Sequence, residues 1–273
     1  MKVKIRPIAA ATCMALACTL AHGAPADVTP KTSFSTDWSD IWWNPSESGW
    51  GMQLVQEEAT VFATVFFYGP DNKPTWIIAT LTVGNNGVLS GPTFVTTGPF
   101  YGAASFDPNS VTIRQVGTMT ITFSDVATGQ LQYSVDGVTV NKRIVRQSVG
   151  TDFYDGTYLL AVNLTQANCT NPANNSQASG TVGADVAQSG NAMTIKWLFS
   201  DSVQCTYTGT YAQQGRLGRF SGPYTCTDGD KGTMTFFELT NRVGMMSGRL
   251  SGQSTVFGCN VSGRFSGVDP SFP

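Results

Sequence analysis

The sequence predicts an all-β protein made of two consecutive antiparallel units, either β-barrels or β-sandwiches, with meander connections. Short segments rich in β-branched and aromatic residues alternate between polar and apolar positions, as in TVFATVFFY at 60–68 and GTMTITF at 117–123. Turn-forming pairs such as Asp136-Gly137 and Asp155-Gly156 separate these segments. No stretch shows the 3.6-residue period of an amphipathic helix. Together these observations favour a chain of short strands joined by tight turns.

Residues 1–23 are typical of a secretory signal peptide. The run 8–21 is apolar but too short to span a bilayer, and Ala21-His22-Gly23 supplies the small residues of a cleavage site. Three basic residues precede the run: Lys2, Lys4 and Arg6. We therefore expect a periplasmic or extracellular protein with a flexible lead over 24–36 and no membrane span, since no later run reaches spanning length. A lipoprotein anchored through Cys18 is the alternative, although the residues before it are in the wrong order for that signal.

Removal of the signal peptide changes the inventory of reactive groups. His22 is the only histidine, and it leaves with the signal. The formal net charge falls from −2 to −5, because three basic residues and no acidic ones are lost. Ser-His-Asp and Cys-His catalysis and His-ligated metal sites are therefore excluded, and we predict no metal and no cofactor. The chain has no basic block, so it lacks the electrostatic signature of a nucleic-acid-binding protein.

A change in composition divides the chain near residue 150. Residues 37–149 are rich in tryptophan and contain no cysteine, whereas residues 150–273 are rich in Gly, Ser and Thr and contain four cysteines. Each half is long enough for about eight short strands, which suits a small barrel or sandwich. We therefore predict a Trp-rich β domain followed by a disulfide-bearing β domain.

Four of the six tryptophans lie between Trp38 and Trp50, within the segment DWSDIWWNPSESGWGMQLVQ. WWNPSESGWG, followed by FATVFFY and KPTW, resembles a recurrent segment of uncharacterised secreted β-rich proteins of proteobacteria. The resemblance covers about residues 37–147 and implies an exported, all-β protein, without an assigned activity. Glu57-Glu58 stands where Gln-Gly is expected in a turn, so this sequence departs from the pattern in its local turn geometry.

The tryptophans suggest a contact surface. Trp42 and Trp43 are adjacent, so in a strand their side chains face opposite sides, and one can enter a core while the other stays available. Exposed tryptophans stack on sugar rings and are enriched in binding sites. We predict a non-catalytic binding or interaction protein that contacts polysaccharide of the envelope or matrix, or another exported protein. The predicted contact residues are Trp42, Trp43, Trp50 and Trp76. The alternative for the same residues is an aromatic core and lid that close one end of a barrel.

Two further functions are compatible with the sequence. A glycoside hydrolase needs two carboxylates and no histidine, so Glu47 with Asp37 or Asp40 is the candidate catalytic set. Glu47 between two serines is more typical of a turn residue that accepts hydrogen bonds from the backbone. The other alternative is a barrel that encloses a small ligand.

The four remaining cysteines predict two disulfides. A hairpin centred between Gly215 and Arg216 puts Cys205 opposite Cys226, with apolar residues on one face and polar residues on the other. Directly opposed cysteines in an antiparallel pair are close enough to be bridged. We therefore predict a Cys205–Cys226 disulfide and, by exclusion, Cys169–Cys259.

A pentapeptide, Gly-Arg-Phe/Leu-Ser-Gly, recurs at 218–222, 248–252 and 263–267. Its Phe or Leu points to one face of a strand, and its Arg and Ser point to the other. Three such strands side by side would form a row of guanidinium groups, which would suit an anion or a sugar acid. The interpretation we favour from sequence alone is a solvated outer strand face.

Overall fold

The computed structural model describes residues 36–84, 87–200 and 202–271. These residues form two consecutive eight-stranded antiparallel closed barrels in which neighbouring strands follow the order of the chain. The predicted fold class is confirmed, and the barrel is the architecture in both units. The predicted signal peptide at 1–23 and nearly all of the predicted lead at 24–36 lie outside the described residues.

Barrel 1 is an up-and-down meander of eight strands. They are β1 (Asp40–Trp43), β2 (Gly51–Glu57), β3 (Thr60–Tyr68), β4 (Pro74–Val83), β5 (Leu89–Thr97), β6 (Thr112–Phe123), β7 (Thr128–Val135) and β8 (Val138–Arg146). The barrel closes where β1 pairs with β8, through Trp42↔Arg146 and Trp43↔Val145. Closure gives every strand two hydrogen-bonded neighbours, so no sheet edge is exposed. A 3-10 helix, Pro108–Ser110, lies in the long β5–β6 connection.

Barrel 2 repeats this plan with longer strands. They are β9 (Gly156–Ala167), β10 (Ser176–Ser189), β11 (Ala192–Leu198), β12 (Gln204–Gln214), β13 (Leu217–Cys226), β14 (Lys231–Arg242), β15 (Met245–Ser254) and β16 (Asn260–Val268). Pairing of β16 with β9 closes the barrel over nine residue pairs. A 3-10 helix, Pro172–Asn174, lies between β9 and β10. No helix in the described ranges has the length and apolar character needed to cross a membrane.

Two-residue periodicity fills both interiors with apolar side chains, because alternate residues of each strand face inward. In barrel 2 the interior is packed with aromatic rings around Trp197, which makes edge-on contacts with Phe199, Tyr207, Phe236 and Phe265. In barrel 1 the middle of the interior holds smaller side chains, including Ala63 and Ala79, which pair directly across β3 and β4.

Both predicted disulfides are present, Cys205–Cys226 and Cys169–Cys259. The predicted hairpin register is also correct, since β12 and β13 pair Cys205 with Cys226 and Gln214 with Leu217, which leaves Gly215-Arg216 as the turn. The second bridge connects the segment after β9 to the segment before β16. Disulfides persist in oxidising compartments, so they agree with a location outside the cytoplasm.

Candidate functional site

The predicted tryptophan cluster is divided among separate places in barrel 1. Trp42 faces the interior and has no exposed surface, so it belongs to the core and must be removed from the predicted contact surface. Its indole N–H donates to the carbonyl of Trp38 at 3.1 Å. Trp38 itself stacks on Phe123 with ring centroids 3.7 Å apart. These three rings close one end of the barrel, as in the core-and-lid alternative.

Trp43 and Trp76 lie on the outer face of barrel 1. Trp76 pairs with Phe66 across β3 and β4, and the two side chains are 43% and 47% exposed. Phe66 also pairs with Gly51 at the start of β2. Trp43 is half-buried. It is one residue beyond the β1–β2 pair Trp42↔Met52, so it lies at the same height along the barrel as Gly51 and Phe66. The outer face therefore carries a row of aromatic side chains that is separate from the barrel interior.

Trp50 lies at the open end of barrel 1, which we call the mouth. In an up-and-down barrel, the β1–β2, β3–β4, β5–β6 and β7–β8 connections share one end. Trp50 precedes β2, whose inward residues are Met52 and Leu54, and the two-residue period puts Trp50 on the same inner face. The β5–β6 connection at this end exposes three aromatic side chains, namely Phe100, Tyr101 and Phe106.

Glu47 and Lys142 form an ion pair at the mouth beside Trp50. The Lys142 ammonium donates to Glu47 Oε2, and the Trp50 indole N–H donates to the same oxygen at 3.2 Å. Lys142 Nζ also lies 5.9 Å from the centroid of the Trp50 ring. The hydrogen bond and charge of Lys142 lower the pKa of Glu47 below its ordinary value, so the carboxylate is ionised at neutral pH.

The loop before Trp50 holds Glu47 in place. Asn44, itself buried, donates from Nδ2 to Glu47 Oε1 at 3.2 Å and accepts from the backbone N–H of Ser46 at 3.1 Å. The Glu47 N–H donates to the Asn44 carbonyl at 3.0 Å, which closes a tight turn. Glu47 is thus a turn residue, as one interpretation of the sequence had it, and it also directs its carboxylate into the mouth.

The mouth encloses a cavity of about 580 Å³. Its wall is mostly aromatic and aliphatic, and the described lining residues are Glu47, Ser48, Gly49, Trp50, Phe67, Tyr68, Gly69, Pro70, Tyr133, Val135, Val138, Val140 and Lys142. The rings of Phe67 and Tyr133 lie 5.8 Å apart. Burial, together with the charge of Glu47, raises the pKa of Tyr133, so its hydroxyl is protonated and able to donate a hydrogen bond.

Asp37 and Asp40 lie at the opposite end of barrel 1 from Glu47. Asp40 begins β1, whereas Glu47 follows the end of that strand. Asp40 Oδ2 accepts from the buried Arg146 guanidinium at 2.8 Å and from the backbone N–H of Arg216, in the β12–β13 turn of barrel 2, at 2.9 Å. Asp37 pairs with the Arg216 side chain. The two aspartates therefore join the barrels.

A pair of carboxylates is not assembled around Glu47. Glu47 is the single carboxylate among the described residues that line the cavity. A glycoside hydrolase needs two carboxyl groups within about 10 Å across the sugar bond. The four residues of β1 alone separate Asp40 from the mouth by roughly 13 Å. The predicted catalytic set of Glu47 with Asp37 or Asp40 is therefore not brought together.

Three site residues were not predicted from the sequence, namely Lys142, Phe67 and Tyr133. A usable signal was present in β8, where Ile144 must face inward and the two-residue period puts Lys142 and Arg146 on the same face. Two basic side chains directed into a barrel interior indicate buried partners, because an unpaired buried charge is costly.

The site thus combines an aromatic and aliphatic cavity wall with one fixed ion pair. No protein-family model matches the chain, and no curated protein matches its sequence.

Proposed function

We propose that this chain is an exported carbohydrate-binding protein whose binding site is the mouth of barrel 1. The observation that carries the proposal is the ion pair of Glu47 and Lys142, hydrogen-bonded to Trp50, on the wall of an otherwise aromatic and aliphatic cavity. The disulfides and the predicted signal peptide support export.

The dimensions of the cavity support a small ligand or the end of a longer chain. Its volume of about 580 Å³ lies within the range of small-molecule sites, roughly 300–1,000 Å³. Trp50, Phe67 and Tyr133 supply ring faces, and the C–H face of a sugar can pack on such a ring. The exposed rings of the β5–β6 connection extend the apolar surface around the same end of the barrel.

The ion pair favours a hydroxylated ligand over an apolar one. An apolar ligand that covered Glu47 and Lys142 would remove their water without replacing those hydrogen bonds. Leaving a charged group unsatisfied costs more than about 1–3 kcal/mol. A sugar can donate a hydroxyl to Glu47 and accept from Lys142, while its opposite face contacts Trp50. This chemistry is the reason for choosing carbohydrate over the small apolar ligand of a closed barrel.

The experiment is a titration of the folded protein with neutral oligosaccharides, monitored by calorimetry and by tryptophan fluorescence. We expect binding that Trp50→Ala weakens at least about tenfold, since a stacked aromatic is worth more than roughly 1 kcal/mol in a binding site. Lys142→Met keeps the aliphatic stem and removes the charge, and we expect a comparable loss. Trp76→Ala is the matched control, because it removes a tryptophan from the outer face of the same barrel. Melting temperatures of all three variants show whether the fold is intact.

Three results would overturn the proposal. The first is failure of every neutral oligosaccharide to bind. The second is that Trp76→Ala loses binding while Trp50→Ala keeps it, which would place the contact on the outer aromatic row. The third is an apolar molecule, extracted from native protein with organic solvent and found by mass spectrometry, that occupies the cavity and requires Trp50 for its binding.

A further inference from the structure

Two arginines of the repeated pentapeptide lie directly opposite each other on the outside of barrel 2. Arg249 on β15 pairs in register with Arg264 on β16. The third repeated arginine, Arg219, is on β13, which β14 separates from β15. The repeats therefore form a pair of adjacent guanidinium groups and not the continuous row of three that adjacent strands would have produced. Like charges directly opposite on neighbouring strands destabilise a sheet unless an anion lies between them.

The arginine pair continues into polar side chains on the neighbouring strands. Arg264 pairs with Asn163 on β9, and Asn163 pairs with Ser179 on β10. The Asn163 amide donates to Ser179 Oγ at 2.7 Å. Two residues further along β15 and β16, on the same outer face, Ser247 pairs with Ser266. The outer face thus presents hydroxyl and amide groups around two guanidinium groups.

A hollow of about 510 Å³ lies over this surface. It is lined by both arginines and Glu238, and by the polar side chains of Asn163, Ser179, Ser247 and Ser266. This volume is far larger than a single inorganic ion needs, and it suits a molecule that carries hydroxyl groups as well as a charge.

Among the described residues, Glu238 is the carboxylate that contacts the arginine pair. Glu238 contacts Arg249 at 3.4 Å, and its same oxygen accepts from Thr36 at 2.7 Å. Arg264 is exposed, and among the described residues no carboxylate lies within ion-pair distance of it. The Arg249 guanidinium lies 5.1 Å from the ring centroid of Phe237, a contact that helps to orient its plane.

We propose that Arg249 and Arg264 bind the carboxylate of an acidic saccharide on the outer face of barrel 2. A guanidinium presents a planar set of N–H donors that matches a carboxylate, and two such groups side by side can hold one carboxylate between them. The serines and Asn163 then hydrogen-bond to ring hydroxyls. This site is separate from the mouth of barrel 1 and does not depend on it.

The test is calorimetric titration of the full chain at low ionic strength with an oligogalacturonate and with the same oligosaccharide after methyl esterification of its carboxylates. We expect the acid form to bind and the neutral ester to bind at least about tenfold more weakly, because hydrogen bonds to charged groups are strong. Arg264→Gln should weaken binding of the acid form by about the same factor. Arg219→Gln is the matched control, since it changes the same residue of the same pentapeptide on a separated strand. Glu238→Gln should strengthen binding, because it removes the carboxylate that competes for Arg249.

Inorganic phosphate and sulfate form the remaining arms. If either binds as tightly as the oligogalacturonate, the ligand is a simple oxyanion and the proposed saccharide is wrong. The proposal is also wrong if the acid form does not bind, or if Arg219→Gln weakens it as much as Arg264→Gln does. The same titrations are repeated on the Trp50→Ala chain, in which the proposed site in barrel 1 is disabled. The preference for the acid form should persist there, which keeps the outcome distinct from that of the proposed site in barrel 1.

Discussion

Replacing Asp40 by alanine tests whether this carboxylate is structural. Asp40 contacts the guanidinium of Arg146, whose side chain has no exposed surface, while the Asp40 side chain is 8% exposed. Arg146 also donates to the carbonyl of Val126 at 2.6 Å and lies 4.8 Å from the Trp42 ring. Removing one partner of a buried ion pair leaves the other charge uncompensated and costs about 3–5 kcal/mol. We expect a loss of that size in Asp40→Ala.

Asp37→Ala is the matched control for this prediction. The Asp37 side chain is 52% exposed in its pair with Arg216, and exposed pairs contribute about 0–1 kcal/mol. Burial opposes ionisation of Asp37, but hydrogen bonds from Ser39 and the charge of Arg216 hold its pKa below the ordinary value. The variant keeps the backbone carbonyl of Asp37, which accepts from Arg146 at 2.7 Å. The two substitutions therefore remove the same group from contrasting environments.

Differential scanning calorimetry measures the difference. At about 2–4 °C per kcal/mol, Asp40→Ala should lower the melting temperature of barrel 1 by roughly 6–20 °C, and Asp37→Ala by no more than about 4 °C. Replacing Asp40 and Arg146 together by Leu and Met should recover much of the loss, because the uncompensated charge disappears. Small, equal shifts in the two alanine variants would show that the Asp40–Arg146 pair does not stabilise barrel 1.

Three further outcomes are expected. In NMR spectra the Trp50 indole N–H signal should titrate with a midpoint below 4.5, the ordinary pKa of Glu47, and Lys142→Met should raise that midpoint; an unchanged midpoint would contradict the ion pair. The lowered pKa also means that the ion pair stabilises the fold above pH 4.5, a contribution that is lost as the pH falls through that midpoint. Glu58→Gly should raise the melting temperature by about 1–2 °C, because Glu58 has φ of 51°, whereas Glu57→Gly, within β2, should lower it. Replacing the two cysteines of one disulfide by serine should lower the free energy of unfolding by about 4.5 kcal/mol for Cys169–Cys259, which spans 90 residues, and by about 3.5 kcal/mol for Cys205–Cys226, which spans 21. Calorimetry that gives the larger loss for Cys205–Cys226 would contradict the loop-entropy argument.

Local pattern predicted most of the fold. The segment TVFATVFFY is strand β3 with the same bounds, and the segment GTMTITF at 117–123 lies within β6 and ends with it. The hairpin of β12 and β13 was predictable in register because its cysteines, tyrosines and threonines match in pairs only when centred on Gly215-Arg216. In each case neighbouring residues carry the information, so a single sequence is sufficient.

The site could not be predicted in the same way. Trp42, Trp43 and Trp50 are close in sequence, but a one-residue step reverses the face of a strand and a loop moves the chain to the barrel mouth. The grouping of Trp50 with Tyr133 and Lys142 depends on closure of the barrel between β1 and β8, which brings together residues about 90 positions apart. Local alternation shows which side chains face inward, but it does not show which of them meet.

The position of the open mouth follows from where the large side chains of barrel 1 lie. Trp38, Trp42 and Phe123 fill the end that contacts barrel 2, where Arg146 is buried against them. Further along the interior the side chains become smaller, and beyond them the wall residues Phe67 and Tyr133 leave the cavity between them and Trp50. Stability therefore depends mainly on one end of the barrel, and the proposed binding on the other. For this reason a substitution at the mouth should test the proposed binding without the large loss of stability expected at the Arg146 end.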